Sequence, residues 1–307
     1  MKMLLISKFS PIWFHIMRFT QCISPLAFSN RYRSGFVAAV LCCAVVAKSL
    51  ILSSLVVATV RRAQINLQHK RTATINLCKL MQNGSAQVAL VQEPYFRKGN
   101  LYLGNFVNPE FATFSKHEMA NSRVMPRAFV LVNNAIVATH ISELTTRDVC
   151  AITIDVSVEN LNRKYVYCSV YLPHDEPSPT DAFKQVIAYC TSKGLPLIVG
   201  SDANAHHIIW GSSDINLRGS SLMEYLSSTD LALLNIGNRP SFVVSAREKV
   251  SDITLCSSRI SHEVTNWHVS DKESLYDHRY IFIEHLNVTS HTLRFRNPPV
   301  NKLRSFY

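Results

Sequence analysis

An aspartate and an asparagine stand two residues apart directly after an apolar run. Asp202 and Asn204 follow the stretch 195–199. If this stretch is a strand, both side chains lie on the same face of the sheet at the end of that strand, because side chains alternate with a period of two. The carboxylate could orient and deprotonate a water, and the amide could donate a hydrogen bond to a phosphoryl oxygen. The pair predicts a hydrolytic site, whereas a polar capping loop is the alternative.

Other predicted strand ends carry polar residues of the same kinds. Carboxylates and amides supply the hard oxygen ligands that Mg²⁺ prefers, and a phenol or an imidazole can donate to a phosphate. Together they suit a magnesium-assisted attack of water on a phosphodiester. The residues at these strand ends are Asn66, Glu93, Tyr171, Asp252, Asp277 and His278.

The elements that must position these residues are short apolar runs separated by turn signals. Helices are predicted over 74–81, 181–193 and 221–227, the second with Asp181 as its cap and Gly194 as its stop. Because many short strands accompany few helices, the pattern favours two sheets packed together with helices outside over a doubly wound parallel fold. The predicted strands are 60–67, 87–92, 128–132, 150–158, 164–172, 195–199, 250–255 and 279–283.

The domain division follows from length and composition. The 307 residues suit one domain of about 200 to 250 residues with extensions. We place a basic and apolar leader at 1–59, the domain at 60–285 and a basic linker at 286–307.

The eight cysteines show no Cys-x-x-Cys spacing and no partner histidine at zinc-finger distance. This excludes a structural zinc site of the common kind. Most of the cysteines stand among apolar neighbours, which is typical of buried free thiols in a reducing compartment.

The net charge of +11 comes from the amino-terminal part of the chain. Residues 1–92 contain 11 Lys and Arg and no Asp or Glu, while the remaining 21 basic residues are balanced by all 21 acidic residues. Any surface of the domain that binds a phosphate backbone must therefore be a local cluster of basic residues.

The leader contains an apolar segment, 37–60, flanked by arginines on both sides. Its length is near the roughly 20 residues that span a bilayer, although Lys48 stands within it at a costly position. Three interpretations stay open: a membrane anchor, a targeting presequence that lacks acidic residues, and a leader without a function or partly packed.

Several short motifs follow one another in a fixed order along the chain. They are Gln64-Ile65-Asn66, Gln92-Glu93-Pro94, Tyr171-Leu172-Pro173, Asp202-Ala203-Asn204-Ala205-His206-His207 with Trp210-Gly211-Ser212, Arg218-Gly219, Ser251-Asp252-Ile253-Thr254 and Asp277-His278-Arg279. The order of these motifs resembles the endonuclease/exonuclease/phosphatase superfamily. Within it, the chain is similar to the apurinic-endonuclease-like domain of LINE-type (non-LTR) retrotransposons, and the resemblance extends over about residues 60–285.

The resemblance implies an α/β (α+β) fold, a four-layered α/β sandwich of two mainly antiparallel sheets flanked by helices. It also implies roles for the residues at the strand ends. Glu93 would hold Mg²⁺, or alternatively Mn²⁺, with Asn66 beside it as a ligand or as a residue that orients one. The catalytic residues would be Asp202 for the water, Asn204 for the oxyanion, His278 held by Asp252 for the phosphate, Tyr171 as a phosphate donor, and Asp277 as a support for the metal or the leaving group.

The resemblance also implies a partner and a place of action. The partner is DNA, nicked in the nucleus so that the freed 3′-hydroxyl primes reverse transcription; no obligate protein partner is evident. A membrane is a partner only if 37–60 spans one. Trp210, Arg218 and His206 are assigned to substrate binding, with a core position as the alternative for Trp210.

Two departures from the family pattern are visible. Tyr276 stands where the family usually has a small serine, and this bulk would be expected to tilt His278. No reverse transcriptase follows the domain, and the tail around Phe295 resembles the start of the connector that would lead to one. Two alternatives to the endonuclease remain: a superfamily hydrolase of small phosphoesters or phospholipids, and a catalytically silent remnant.

Overall fold

The structure, a computed structural model, describes residues 60–104, 111–115, 125–158 and 161–285. Most of the regular secondary structure in these ranges is β-strand. The leader 1–59 and the linker 286–307 lie outside these ranges. What the sequence indicates about them, including the possible span 37–60, therefore stays a prediction. Among the described residues, no helix has the length and apolar character that a membrane crossing requires.

The helices of the described ranges are α1 Arg71–Gln82, α2 Asp181–Lys193 and α3 Leu217–Ser227, with short 3-10 turns at Ser142–Leu144, Ile208–Trp210 and Ser258–Glu263. The strands are β1 Val60–Asn66, β2 Val88–Gln92, β3 Phe96–Arg97, β4 Asn100–Leu101, β5 Phe111–Phe114, β6 Ala128–Asn133, β7 Ala138–His140, β8 Val149–Val158, β9 Leu161–Tyr171, β10 Leu197–Asp202, β11 Leu231–Leu233, β12 Phe242–Val244, β13 Arg247–Lys249, β14 Asp252–Ser257, β15 Val264–Val269 and β16 Ile281–His285.

The strands form two six-stranded sheets. The first sheet has the order β15-β16-β1-β2-β6-β5, and the second has the order β11-β14-β10-β9-β8-β7. Pairing is antiparallel except between β1 and β2 and between β9 and β10. Two short ribbons, β3-β4 and β12-β13, lie apart from the sheets. The predicted two mainly antiparallel sheets are thereby confirmed.

Three apolar clusters separate four layers. One cluster joins α1 to the first sheet, a second lies between the sheets, and a third joins α2 and α3 to the second sheet. Each sheet is therefore buried on both faces. Because residues on both faces are buried, the sequences of the central strands are nearly continuous apolar runs. The predicted four-layered sandwich is confirmed.

Alternation along each strand decides which residues face the other sheet. In β1, Ala63 and Ile65 pack against α1, so Arg62, Gln64 and Asn66 face the second sheet. In β10, Leu197 and Val199 pack toward the helices, and the alternate positions, including Asp202, face the first sheet. The even-numbered positions of both strands thus run along one internal layer.

The helices end within one residue of the predicted positions, but α1 and α3 begin three and four residues earlier than predicted, at Arg71 and Leu217. The predicted cap of α2 is also wrong. Thr180, not Asp181, is the N-cap of α2, and its hydroxyl accepts from the Phe183 N–H. Asp181 is the first helical residue, where its charge complements the helix dipole. Gly194 ends the helix in the left-handed conformation with φ of 63°, as predicted.

The thiols of the described cysteines are buried and form no disulfide bond, as expected. They are Cys78, Cys150, Cys168, Cys190 and Cys256. Burial raises the pKa of Cys78 to about 11 and that of Cys150 to about 12, so these thiols stay protonated.

One end of the internal layer is occupied by a buried polar cluster. Arg62 donates to Tyr167 Oη and lies 3.1 Å from His285 Nδ1. His285 Nε2 is in turn 3.1 Å from a Glu263 carboxylate oxygen, which also accepts from Tyr165 Oη at 2.7 Å. Burial, followed by the nearby Arg62 charge, lowers the pKa of His285 to about 4, so this imidazole is neutral. The cluster joins β1 and β16 of the first sheet to β9 of the second.

Gly219 in α3 is expected to tolerate no side chain. A Cβ there would lie 1.9 Å from the backbone oxygen of His206. We therefore expect Gly219→Ala to lower the free energy of unfolding in urea by about 2–4 kcal/mol, because helix and loop would have to separate. Ser220→Ala, at the exposed neighbouring helix position, is the control and should cost under about 0.5 kcal/mol. Equal stability of the two variants would contradict the close contact.

Candidate active site

A polar cavity of about 350 Å³ lies where β1, β2, β9 and β10 end. It brings together seven of the residues singled out in the sequence, and these are Asn66, Glu93, Tyr171, Asp202, Asn204, His206 and His278. The rest of its lining consists of Gln68, His174, Asn216, Phe242, Arg247, Lys249 and Ser251. Residues spread over more than 200 positions of the sequence thus share one cavity.

Register in the second sheet sets three of these side chains side by side. Asp202 of β10 pairs with Tyr171 of β9 on one side and with Asp252 of β14 on the other. Neighbouring strands lie about 4.8 Å apart. A phenol and two carboxylates therefore line up across three strands at the same height of the sheet.

Asn66 links the carboxylates of the two sheets. Its Nδ2 donates to Glu93 Oε2 at 3.1 Å and to Asp202 Oδ2 at 2.7 Å. Its Oδ1 accepts from the Gln68 N–H at 2.7 Å. Because both carboxylates can only accept, the amide nitrogen must face them. In this orientation Asn66 is suited to orienting a metal ligand, and its predicted place at the metal stays a prediction.

Glu93 stands on the cavity wall with partners that keep it ionised. Burial alone would raise the pKa of Glu93, but hydrogen bonds from His69 and Asn66 lower it below its ordinary value. The distance from His69 Nε2 to Glu93 Oε1 is 3.5 Å. A charged carboxylate at the cavity is the donor that a divalent cation requires.

The side-chain oxygen of Gln68 is a second possible ligand for a cation bound at Glu93. Gln68 Oε1 is buried and has no hydrogen-bond partner among the described residues, and Gln68 lines the same cavity as Glu93. A divalent cation takes amide oxygens as well as carboxylates, so the donor set fits Mg²⁺ or Mn²⁺. Within the described ranges, no cluster of three or more His, Cys, Asp and Glu side chains could by itself hold a metal ion. The remaining ligand positions would therefore belong to water and substrate.

Asp202 is suited to accept a proton near neutral pH. It is 2% exposed, and burial together with the Asp252 charge raises the pKa of Asp202 to about 7. A general base works best when its pKa lies near the operating pH. Its Oδ1 also accepts from the Asn204 N–H at 3.2 Å, which fixes the carboxylate relative to the neighbouring amide.

His278 is held by Asp252 in the interior. Its Nδ1 lies 2.9 Å from Asp252 Oδ2, and both side chains are almost fully buried. Burial opposes the charge of the imidazole, but Asp252 raises the pKa of His278 to about 9. The imidazolium can present its Nε2–H to the cavity. Tyr276 turns outward, where Lys70 Nζ lies 4.5 Å from its ring centroid, and the contact between His278 and Asp252 is made beside it.

Tyr171 and Asn204 can both donate into the cavity. Burial and the charges of Glu93 and Asp202 raise the pKa of Tyr171, which keeps its hydroxyl protonated. Asn204 Nδ2 donates one hydrogen to the Leu172 carbonyl at 3.1 Å, so its second hydrogen is left for another acceptor. Both residues therefore suit the predicted contacts to phosphate.

Backbone strain is concentrated at this cavity. Gln68, Glu93 and Asn204 have φ values of 45°, 47° and 45°, which side-chain-bearing residues rarely adopt. Such conformations persist where the surrounding structure fixes them, and they cluster at functional sites.

Three predicted site residues lie elsewhere. Trp210 is 1% exposed in the core beneath the second sheet, so the substrate-binding assignment of Trp210 is wrong and its core alternative holds. Arg218 directs its guanidinium to the carbonyls of Leu172, His174, Glu176 and Asn204 and does not line the cavity, so its assignment to substrate binding stays a prediction. Asp277 is outside the cavity lining as well, and its carbonyl accepts from the Val243 N–H at 2.8 Å.

Sequence analysis missed the cations of the cavity rim. Arg247 and Lys249 reach the rim from the ribbon β12-β13, whose Phe242 packs against the His278 ring with centroids 5.0 Å apart. Lys249 Nζ lies 3.1 Å from His206 Nδ1. The only available signal was a pair of basic residues around Glu248, because three-residue strands are too short to show alternation.

Comparisons with known proteins agree with this geometry. Residues 165–282 match the family model described as "Endonuclease-reverse transcriptase". The endonuclease domain of TRAS1, a telomere-specific non-LTR retrotransposon, is 26% identical with a TM-score of 0.62, and the match covers 76% of this chain and all of that domain. No curated protein matches the sequence.

Two further solved structures share the fold at lower identity. The AP endonuclease LMAP from Leishmania major is 12% identical with a TM-score of 0.58, covering 74% of this chain and 88% of that one. The catalytic domain of Xenopus laevis APE2 is 11% identical with a TM-score of 0.55, covering 75% of this chain and 93% of that one. At this identity the likeness concerns the fold alone.

These matches make the chain similar to the endonuclease/exonuclease/phosphatase superfamily, whose members are hydrolytic nucleases and phosphatases. Within that superfamily it is similar to the apurinic-endonuclease-like endonucleases of non-LTR retrotransposons. The resemblance expected from the order of the motifs is thus confirmed.

The pairing of Asp252 with His278 predicts a titration that can be measured. In Asp252→Asn the imidazole keeps its burial but loses the carboxylate that outweighs it. We expect the pKa of His278, followed by NMR of its ring resonances, to fall from about 9 to below 6.5. The ring resonances of His262, which is 75% exposed, are the control and should be unchanged by the substitution. A His278 pKa that stays near 9 would contradict the role of Asp252.

Proposed function

We propose that the protein is a magnesium-dependent DNA endonuclease that nicks one strand of a target duplex, so that the freed 3′-hydroxyl primes reverse transcription. The observation that carries this proposal is the single cavity in which Glu93, Asp202, Asn204 and His278 meet. The similarity to a retrotransposon endonuclease domain supports DNA over other phosphodiesters. A DNA target places the reaction in the nucleus.

The cavity residues divide the work of hydrolysis between the two sheets. Asp202 takes the proton of the attacking water, and its pKa of about 7 suits that step. Asn204, Tyr171 and the His278 imidazolium donate to the phosphoryl oxygens as negative charge develops there. Glu93 and Gln68 would hold the magnesium ion, which supplies Lewis acidity at the phosphate and the leaving oxygen when bound.

The rim is suited to a phosphate backbone. Arg247 and Lys249 stand on the ribbon beside His278, and His206 and His174 line the same cavity. Because the charges of the chain are balanced after residue 92, Arg247 and Lys249 form a local attraction for phosphates rather than a general one. Contacts of this kind position DNA and do not read its sequence.

Substitution of the proposed base and phosphate donor should abolish nicking of supercoiled plasmid. We expect Asp202→Ala and His278→Ala each to lower the nicking rate by about 10²–10⁴-fold, the contribution of one acid–base group. Asp181→Asn and His262→Ala are the matched controls, because these side chains are 89% and 75% exposed and lie outside the cavity. Unchanged nicking in either cavity variant would reject its assigned role.

The same purified proteins distinguish the endonuclease from a hydrolase of small phosphoesters and from an inactive remnant. Phosphate release from nucleotides, inositol phosphates and phospholipids is measured beside plasmid nicking. Release without nicking would replace the endonuclease with a small-phosphoester hydrolase. A folded wild type that is inactive on every substrate with Mg²⁺ or Mn²⁺ would identify a silent remnant.

Removing the proposed metal ligand should change the metal requirement. Residues that only orient a ligand contribute about 10–100-fold to metal affinity. We therefore expect Glu93→Gln to raise the Mg²⁺ concentration for half-maximal nicking by at least about 10-fold, and EDTA to stop nicking by the wild type. Glu224→Gln on the exposed side of α3 is the control. An unchanged Mg²⁺ requirement in Glu93→Gln would exclude Glu93 as a ligand.

A further inference from the structure

Two glutamines lie in the interior between the sheets, where apolar side chains would pack more simply. Gln64 of β1 is 3% exposed and Gln92 of β2 is 0% exposed. Burying an amide is unfavourable unless hydrogen bonds replace those made with water. Neither side chain lines the cavity, and so neither belongs to the set that could contact a substrate.

Gln64 ties the first sheet to two strands of the second. Its Nε2 donates to the carbonyls of Ser201 in β10 and Ile253 in β14, each at 3.1 Å. Its Oε1 accepts from Thr254 Oγ1 at 2.8 Å, and that hydroxyl accepts from Trp267 Nε1 at 2.9 Å. Every polar atom of the Gln64 side chain therefore has a partner on the opposite sheet.

Gln92 makes the corresponding link to the next strand. Its Nε2 donates to Ser169 Oγ in β9 at 2.9 Å and to the Gly200 carbonyl in β10 at 3.0 Å. Ser169 Oγ donates back to the Val91 carbonyl of the first sheet at 2.8 Å. Gln92 Oε1 is buried without a partner among the described residues. Stability alone would not favour this amide over an apolar residue.

Gly200 makes the approach of Gln64 possible. A Cβ at this position would lie 2.9 Å from Gln64 Oε1 and 3.0 Å from Gln64 Cδ and Cγ. The backbone at Gly200 lies outside the left-handed region, so its conformation does not require a glycine. The glycine is required because a side chain would collide with Gln64. The first sheet's glutamine side chain and the second sheet's backbone are therefore in close contact at this position.

The amides lie directly beneath the active-site residues. Gln64 is two residues before Asn66 on the same face of β1, and Gln92 pairs with Asn66 and immediately precedes Glu93. Gly200 is two residues before Asp202 in β10. Two residues of a strand span about 7 Å. The glutamine layer is thus the nearest point at which the sheets are fixed relative to each other below the cavity.

We propose that Gln64 and Gln92 are positioning residues that lock the two sheets against sliding. They thereby set the separation of Asn66 and Glu93 on the first sheet from Asp202 and His278 on the second. Apolar contacts have no direction and permit small shifts, whereas hydrogen bonds to fixed carbonyls do not. The kinetic part of this proposal rests on the proposed endonuclease function. The geometric part does not.

The test uses Gln64→Met and Gln92→Met, which keep the side-chain length and remove the hydrogen bonds. A misplacement of about 1 Å costs about 100-fold in rate. We expect each variant to fold, to lower the kcat of nicking by about 10–100-fold with little change in KM for DNA, and to raise the Mg²⁺ concentration for half-maximal activity. Gln87→Met is the matched control. Gln87 Oε1 accepts from the Arg61 N–H within the first sheet, at the far end of β2.

A second readout needs no activity. Crystal structures of the double variant Gln64→Met/Gln92→Met and of the wild type give the distance from Asn66 Nδ2 to Asp202 Oδ2, which is 2.7 Å. We expect this contact to lengthen beyond hydrogen-bond distance in the variant. An intact contact together with unchanged kcat would overturn the proposal. An inactive wild type would overturn the endonuclease function, and the distance alone would then decide whether the glutamines fix the sheets.

Discussion

The site depends on one amide, that of Asn66, which holds carboxylates from both sheets at the same time. Glu93 follows a strand of the first sheet, and Asp202 ends a strand of the second. Both side chains carry negative charge when ionised, and they would repel each other without a donor between them. The amide nitrogen donates to both. Everything that the cavity can do chemically requires that this bridge between two separate sheets be maintained.

The arrangement of charge around that bridge follows from burial. Glu93 is kept ionised by its neighbours, while the pKa of Asp202 rises to about 7 and that of His278 to about 9. A carboxylate suited to a cation, a carboxylate suited to a proton and a protonated imidazole thus occupy one cavity. The three environments differ because one carboxylate faces donors, one faces another carboxylate, and the imidazole faces Asp252.

Much of the site could be predicted from the sequence because its residues stand at strand ends. Asn66, Glu93, Tyr171 and Asp202 each end or follow an apolar run, and side-chain alternation places them on one edge. The position of Trp210 could not be predicted, because an aromatic residue in a loop has no periodicity that reveals its burial. Arg218 donates to carbonyls of folded loops, and Arg247 and Lys249 stand on three-residue strands. Their positions depend on tertiary contacts that no local pattern carries.

The cluster of Arg62, Tyr167, His285 and Glu263 has a consequence for how the molecule can move. It joins the sheets at the end opposite the cavity, and the apolar layer fills the space between. The central strand β1 is consequently tied near both of its ends, and β9 is tied at its middle and near its carboxyl end. Partial unfolding of the sandwich must therefore begin by peeling strands such as β7 or β15 from its margins, while the middle remains closed.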